Sequence, residues 1–318
     1  MIDKYNREID YLRISLTDKC NLKCIYCMPN NTVDNNYIND NLTLNNYKFI
    51  IKQLSKLGIK KVRFTGGEPL ISPYLDDIIE YTKNECEISD ICITTNAIGL
   101  MDRIENLKEK GLKKVNISID SLDKYKYKKI TRCGDLEQVI KSINKCIDIG
   151  IKVKINCVLI KGLNDNEIYD FIELTKENSI DVRFIELMPL GEGLDIFEKG
   201  YINVQENLKQ IHGLKSIKNE DKSVAAYYKI DNYKGRVGMI TPMSCSFCSN
   251  CNRIRITSNG NLKLCLHSRE ELNIKPYLND KDEFLEVMKK HIYVKPEKHK
   301  LIENKKSDTT RKMYQIGG

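Results

Sequence analysis

Three cysteines fall within eight residues of this 318-residue chain, Cys20-Asn-Leu-Lys-Cys24-Ile-Tyr-Cys27. Thiolates this close can wrap one compact metal site from a single loop. Zinc in a structural site usually takes four closed protein ligands. A [4Fe–4S] cluster on three cysteines instead leaves one iron without a protein ligand, open to a small molecule. Such an iron can chelate an amine and a carboxylate. A second group is Cys248-Ser-Asn-Cys251 with Cys265. Asn259-Gly260 between them is a strong hairpin signal, and the return strand would bring Cys265 back beside the Cys-x2-Cys pair. Cys245 is a further candidate thiolate there. His267 could complete a Cys3His zinc site, so zinc and a second cluster both remain open from the residues alone.

The other cysteines are plainer. Cys92, Cys146 and Cys157 lie in apolar runs and read as core residues, while Cys86 and Cys133 are isolated. Twelve cysteines in a chain whose first ten residues are polar and mixed in charge point to a reducing, cytoplasmic setting rather than a disulfide framework. No apolar run approaches the ~20 residues of a membrane helix. The formal charge is +8, yet only 11 of the 52 basic residues are arginine. A lysine excess reads as a solvated face. Arginine is the residue of fixed, bidentate phosphate contacts, and Arg13, Arg63, Arg183, Arg253 and Arg255 all fall on or beside expected strands. There is no concentrated basic helix or aromatic stripe for nucleic acid.

Positioning these residues requires strands alternating with helices. Strands are expected at Tyr11–Thr17, Lys61–Thr65, Ile91–Thr95, Lys114–Asp120, Lys152–Ile160 and Asp181–Leu187. Amphipathic helices lie between them at Leu44–Leu57, Tyr74–Glu85, Met101–Lys110, Asp135–Ile149 and Asp165–Glu177. The rhythm implies parallel βα units, as an open doubly wound sheet or a partial barrel. Polar residues cluster at the C-terminal ends of the strands, in Thr65-Gly66-Gly67-Glu68, Thr94-Thr95-Asn96, Ser118-Ile119-Asp120 and Glu186-Leu187-Met188-Pro189. Ligands bind at that edge in either architecture. From about residue 192 the rhythm changes to a helix, Val204–Ile211, and short strands at Ala225–Ile230, Arg236–Thr241, Ile254–Ser258 and Asn261–Leu266. The polar stretch Lys300–Thr310 reads as a mobile tail.

The Cys-x3-Cys-x2-Cys loop after strand one, with Tyr26 before its last cysteine, resembles the signature of the radical S-adenosylmethionine enzymes. Gly66-Gly67-Glu68-Pro69 after strand two resembles the glycine-rich turn of the same superfamily, and glycine suits a close backbone approach to a ligand. The resemblance implies that a [4Fe–4S] cluster on Cys20, Cys24 and Cys27 holds S-adenosylmethionine. One electron then breaks its C5′–S bond, and a 5′-deoxyadenosyl radical removes a substrate hydrogen. Tyr26, Gly66, Gly67, Glu68, Ser118 and Met188 are the cofactor-binding residues on that basis.

The whole chain is similar to the GTP 3′,8-cyclase family of molybdenum cofactor biosynthesis. The likeness runs through Tyr11-Leu-Arg-Ile-Ser-Leu-Thr-Asp-Lys-Cys20, Arg183-Phe-Ile-Glu-Leu-Met-Pro189, Phe247-Cys-Ser-Asn-Cys-Asn-Arg-Ile-Arg-Ile-Thr257 and the terminal Gly317-Gly318. It implies an α/β fold, a partial (βα)6 TIM-type barrel over residues 1–191. A smaller C-terminal α+β region, 192–318, would carry a second [4Fe–4S] cluster on Cys248, Cys251 and Cys265. Arg13, Arg63, Thr94, Lys154, Arg183, Arg253 and Arg255 would bind GTP. Arg253 and Arg255, with Gly317 and Gly318 of a tail that enters the active site, would serve the chemistry. A reducing electron donor and a downstream pyranopterin-forming enzyme are the implied partners, and a homodimer is allowed by the resemblance alone. Ala97 stands where the family often has glycine, and Leu187 where an aromatic is common. Two alternatives are a radical S-adenosylmethionine peptide maturase and a zinc-stabilised nucleic-acid-binding protein.

Overall fold

Six β–α units wind in chain order, and the strands that follow them extend the same sheet at both edges. The computed structural model describes residues 1–30, 41–218, 223–244 and 247–317. The first strands are β1 (Tyr11–Ser15), β2 (Lys61–Thr65), β3 (Asp90–Thr95), β4 (Lys114–Ser118), β5 (Lys152–Leu159) and β6 (Asp181–Glu186). Between them lie α1 (Leu44–Lys56), α2 (Leu75–Asn84), α3 (Ile104–Lys110), α4 (Lys124–Thr131), α5 (Leu136–Asp148) and α6 (Ile168–Glu177). The later elements are α7 (Gly193–Gly200), α8 (Val204–Lys209), β7 (Lys215–Ile217), β8 (Ala226–Lys229), β9 (Arg236–Ile240), β10 (Arg253–Ile256), β11 (Asn261–Lys263), β12 (Leu272–Asn273), α9 (Lys281–Tyr293), α10 (Leu301–Asn304) and α11 (Met313–Ile316).

The sheet order is β12-β11-β10-β1-β2-β3-β4-β5-β6-β9-β8-β7. Every neighbouring pair from β10 to β9 is parallel. Antiparallel pairs finish each edge. The C-terminal region therefore grips the partial barrel from both sides, β9 on β6 and β10 on β1.

Alternation decides what faces inward. Leu12 and Ile14, Val62 and Phe64, Ile91 and Ile93, Val115 and Ile117 are buried in the apolar layer. The intervening Arg13, Arg63, Thr94, Asn116 and Ser118 line an interior cavity instead. β5 alternates too. Val153, Ile155, Cys157 and Leu159 are buried in the core, while Lys154, Asn156 and Val158 face the cavity. A partial barrel has a polar ligand side and an apolar helix side, and its strands read accordingly.

Five helices went unread in the sequence, α4, α7, α9, α10 and α11. In α4, Lys124-Tyr-Lys-Tyr-Lys-Lys has a weak apolar stripe, and the Asp123 cap that accepts from the backbone N–H groups of Tyr125 and Lys126 marks its start. The tail is not a free polar strand. Leu301 and Ser307 are buried, Arg311 pairs with Glu271 at 2.7 Å and Lys312 with Glu192 at 2.7 Å. Its polarity is spent on specific partners. Among the described residues, no helix is long and apolar enough to cross a membrane.

The N-terminus is tied to the second cysteine segment by one buried guanidinium. Arg7 pairs with Asp3 at 2.6 Å, both side chains almost fully buried. It donates to the carbonyls of Cys248 (3.0 Å), Glu297 (2.9 Å) and Pro296 (2.7 Å). Replacing Arg7 by Met strands a buried carboxylate and these carbonyls, a loss of about 3–5 kcal/mol. Urea unfolding of Arg7→Met, followed by circular dichroism, is expected to show it.

Candidate active site

The cysteine loop is seated on the glycine turn by backbone alone. Gly67 N–H donates to the Thr17 carbonyl at 2.7 Å and Glu68 N–H to the Lys19 carbonyl at 2.8 Å. A Cβ on Gly66 would lie 2.4 Å from the Thr17 oxygen, and one on Gly67 2.0 Å from the Lys19 oxygen. The glycines were expected to admit a ligand. Their missing side chains first make room for the strand-to-loop segment that carries Cys20. On the other side, Lys23 N–H donates to Thr131 and Ile25 N–H to Ile130 at the end of α4. Arg132 Nη1 donates to the carbonyls of Lys23 and Met28.

The polar strand ends lock this loop in place. Glu68 accepts from Leu70 N–H (3.0 Å), Thr95 Oγ1 (2.7 Å) and Asn96 N–H (2.7 Å). Burial raises its pKa to about 7. Asn96 Nδ2 donates to Asn21 Oδ1 at 2.7 Å and approaches Cys20 Sγ at 3.8 Å. Ala97, in the turn that follows, holds a φ of +64°, a left-handed conformation that glycine adopts more cheaply. Tyr26 donates to Asp120 Oδ2 at 2.6 Å, and Val158 N–H donates to the other oxygen at 2.8 Å. Burial pushes Asp120 up to about 6 and Tyr26 well above its ordinary value.

Cys20, Cys24 and Cys27 are unpaired thiols that face one cavity of about 810 Å3. Burial pushes Cys20 up to about 11 and Cys27 up to about 12, and holds Cys24 well above the usual thiol range. Three half-buried thiols that repel one another as anions are stabilised when a cation shares them. Among the described residues, no three Cys, His, Asp or Glu groups close around a single-ion position. An iron–sulfur cube binds each cysteine at a different iron, so its ligands stand further apart than those of one zinc ion. The donor set fits the cluster.

Cys248, Cys251 and Cys265 face the same cavity. Cys248 lies in a 3₁₀ turn, Cys248–Asn250. The β10–β11 register pairs Arg255 with Lys263, which returns Cys265 to the level of Arg253. Burial opposes ionisation of Cys251, but the charges of Arg253 and Lys295 pull it down to about 6. His267 also lines the cavity, and its Nδ1 is engaged with Ser307 Oγ at 3.0 Å. Burial drops its pKa to about 3. Cys245 and Gly318 lie outside the described residues.

Between the two thiol groups stand the cations. Arg13, Arg63, Arg183, Arg253 and Arg255 all line the cavity. Arg63, Arg183 and Arg255 are buried. Arg13 is held well below its usual value by burial and the neighbouring arginines, and Arg255 is pulled down to about 10 by burial and Arg253. The Arg13 Nε and the Arg183 Nε and Nη2 are buried with no hydrogen-bond partner among the described residues. Lys154 differs, since Asp181 at 2.8 Å and Tyr227 Oη at 3.0 Å already engage it. Arg236 shares that carboxylate at 2.8 Å. Against the burial of Asp181, Arg236 and Lys154 hold it down at about 2. Two further residues enter here. Cys92, read as a core residue, also accepts from Arg63 Nε at 3.3 Å. Lys61 lies 5.0 Å from the Tyr11 ring centroid and lines the cavity.

The tail completes the enclosure. Met313 and Tyr314 line the cavity, and Arg255 Nη1 donates to the Gly317 carbonyl at 2.6 Å. A Cβ on Gly317 would fall 2.4 Å from Thr65 Cγ2, so only glycine threads this gap. Sequence reasoning assigned no role to Asn96, Asp120 or Glu186, although it noted their strand ends. Glu186 binds the N–H groups of Met243 and Ser244 at 2.8 and 3.1 Å.

Residues 14–175 match the family model described as the radical SAM superfamily, and residues 180–301 match Molybdenum Cofactor Synthesis C. The Streptococcus suis protein SuiB, solved bound to the precursor peptide SuiA, has the same fold. Its TM-score is 0.65 at 19% identity, over 96% of this chain and 68% of that one. The cysteine loop, the glycine turn and the partial barrel thus define a radical S-adenosylmethionine enzyme. Across 100% of both chains, the sequence is 48% identical to GTP 3′,8-cyclase of Clostridium botulinum and 47% identical to that of Clostridium acetobutylicum. The chain belongs to the GTP 3′,8-cyclase family.

A methyl group at residue 67 would displace the Lys19 carbonyl and with it the Cys20 end of the loop. Gly67→Ala is expected to fold but to retain much less iron after anaerobic reconstitution, read by iron analysis and visible absorbance. Iron content equal to that of the unmodified protein would show that the loop tolerates the shift.

Proposed function

We propose that this cavity cyclises GTP to (8S)-3′,8-cyclo-7,8-dihydroguanosine 5′-triphosphate, an early step of molybdenum cofactor biosynthesis. The observation that carries the reading is the group of buried guanidinium groups with unpartnered nitrogens, facing the cysteine loop across one cavity. Buried cations without carboxylate partners are costly, and a polyphosphate offsets that cost with charge-assisted hydrogen bonds. The family membership supplies which nucleotide and which product.

In this reading Cys20, Cys24 and Cys27 hold the cluster that binds S-adenosylmethionine. When bound, the two groups supply a 5′-deoxyadenosyl radical that takes the C3′ hydrogen of the nucleotide. Gly66, Gly67, Ser118 and Met188 shape the cofactor side. Tyr26 and Glu68 act by holding the loop, through Asp120 and Asn96. Cys248, Cys251 and Cys265 would hold a second [4Fe–4S] cluster, whose open iron takes the guanine. Arg13, Arg63, Thr94, Lys154, Arg183, Arg253 and Arg255 hold the rest of the nucleotide, and the tail excludes water behind it. Gly317 serves there as a residue slim enough to reach Arg255, and Gly318 keeps the role that the family resemblance implies for it. Residues 1–191 then form the radical-generating unit and 192–318 the second-cluster and substrate unit. The cytoplasm, a reducing electron donor and a pyranopterin-forming enzyme that takes the product complete the expected setting.

Anaerobic turnover with dithionite, S-adenosylmethionine and GTP, read by mass spectrometry, tests the reading. The expected result is deoxyadenosine that depends on GTP, with a cyclised nucleotide isomeric with GTP. Deoxyadenosine with unchanged GTP would move the substrate to a peptide, as in the maturase alternative. Cys24→Ala is expected to abolish deoxyadenosine release. Arg255→Ala, which also frees the Gly317 carbonyl, is expected to weaken GTP binding by about tenfold or more while slow uncoupled cleavage of S-adenosylmethionine persists. Unchanged GTP affinity in that variant would remove the nucleotide role of the β10 face.

A further inference from the structure

Two asparagines that no comparison or motif singles out lie in the middle of the barrel wall. Asn116 on β4 is 1% exposed, and its Nδ2 has no hydrogen-bond partner among the described residues. Asn156 on β5 has a buried Oδ1 that is likewise without one. Both line the cavity. A buried amide that forgoes a partner costs about 1–3 kcal/mol, so two of them on adjacent strands, turned into one cavity, mark a place where a polar ligand belongs.

The sheet register says which ligand each faces. Asn116 is opposite Thr94 on one side and Lys154 on the other, so it sits in a row with two of the nucleotide-contacting candidates. The Thr94 hydroxyl in that row is also without a partner. Asn156, one residue pair further toward the C-terminal edge, is opposite Ser118 on β4 and Arg183 on β6. Its row joins a cofactor-side residue to a substrate-side one. Successive inward residues of a parallel barrel stand in such layers, and the hydrogen to be removed must lie where the cofactor layer meets the nucleotide layer.

We propose that Asn116 is a specificity-determining contact to the nucleotide and that Asn156 holds the substrate at the boundary with the cofactor. Asn116 offers a donor, which suits a ribose or phosphate oxygen. Asn156 offers an acceptor, which suits a ribose hydroxyl. The inference rests on the cyclase reading for the identity of the ligand, but the two orphaned amides exist whatever fills the cavity. Water alone filling the gap is the competing account, and it makes a different prediction.

The test is anaerobic calorimetry of cluster-loaded protein with GTP and, separately, with S-adenosylmethionine, alongside the ratio of deoxyadenosine to cyclised nucleotide. Asn116→Ala is expected to weaken GTP binding by about tenfold, the factor one hydrogen bond to a charged ligand supplies, with S-adenosylmethionine affinity unchanged. Asn116→Ser, which keeps a short donor, is expected to fall between the two and to serve where the alanine variant folds poorly. Asn156→Ala is expected to change GTP affinity little but to raise deoxyadenosine per cyclised nucleotide by about threefold or more, because a misplaced C3′ reacts less often. Unaltered GTP affinity in both Asn116 variants would overturn the first assignment, and an unaltered product ratio in Asn156→Ala the second. The cyclase reading fails separately, if the unmodified protein binds GTP and yields no cyclised product. A GTP-affinity loss in Asn116→Ala would still support the contact in that event.

Discussion

The structure is organised around positive charge that cannot reach water. Arg63, Arg183 and Arg255 are buried on three strands of one barrel wall, and Asp181 serves Lys154 and Arg236 before it serves any of them. Such an interior is stable only if the surrounding wall is stiff enough to hold like charges near one another. The sheet supplies that stiffness. Its apolar outer layer is continuous from Leu12 through Phe184, and close packing there leaves the inward residues little freedom to relax apart.

The two thiol groups line the same cavity as that charge and differ in what surrounds them. Cys20 and Cys27 lie where burial and mutual repulsion dominate, so their protons are held tightly in the absence of a cation. Cys251 lies beside Arg253 and Lys295 and gives up its proton near neutrality. Ligand deprotonation accompanies metal binding, so the two thiol groups meet a cation from opposite protonation tendencies.

Much of this was legible in the sequence. The six strands and five of the helices follow from period and glycine stops, because each βα unit is a local pattern. The two cysteine groups and the arginine set were legible by spacing and resemblance, and the structure brings them to one cavity. What escaped was set by tertiary context. Arg7 looks like an ordinary surface charge until the carbonyls of residues near its partner segment, hundreds of positions on, converge on it. Asn116 sits in Lys-Val-Asn-Ile-Ser, where an asparagine in a strand reads only as a poor β-former. The role of Gly66 and Gly67 in seating the cysteine loop depends on the carbonyls of Thr17 and Lys19, which no local rule could supply.

The pairing of β1 with β10 sets an order in time. Arg13 lies opposite Arg255, so β1 waits for a strand made much later in the chain. Until then β1 presents an open edge, the kind of surface on which nascent chains associate wrongly. Long-range parallel pairing is also slow to form. The half-made enzyme therefore exposes its first cysteine loop and an open strand edge together, and both are sheltered only when β10 docks on β1.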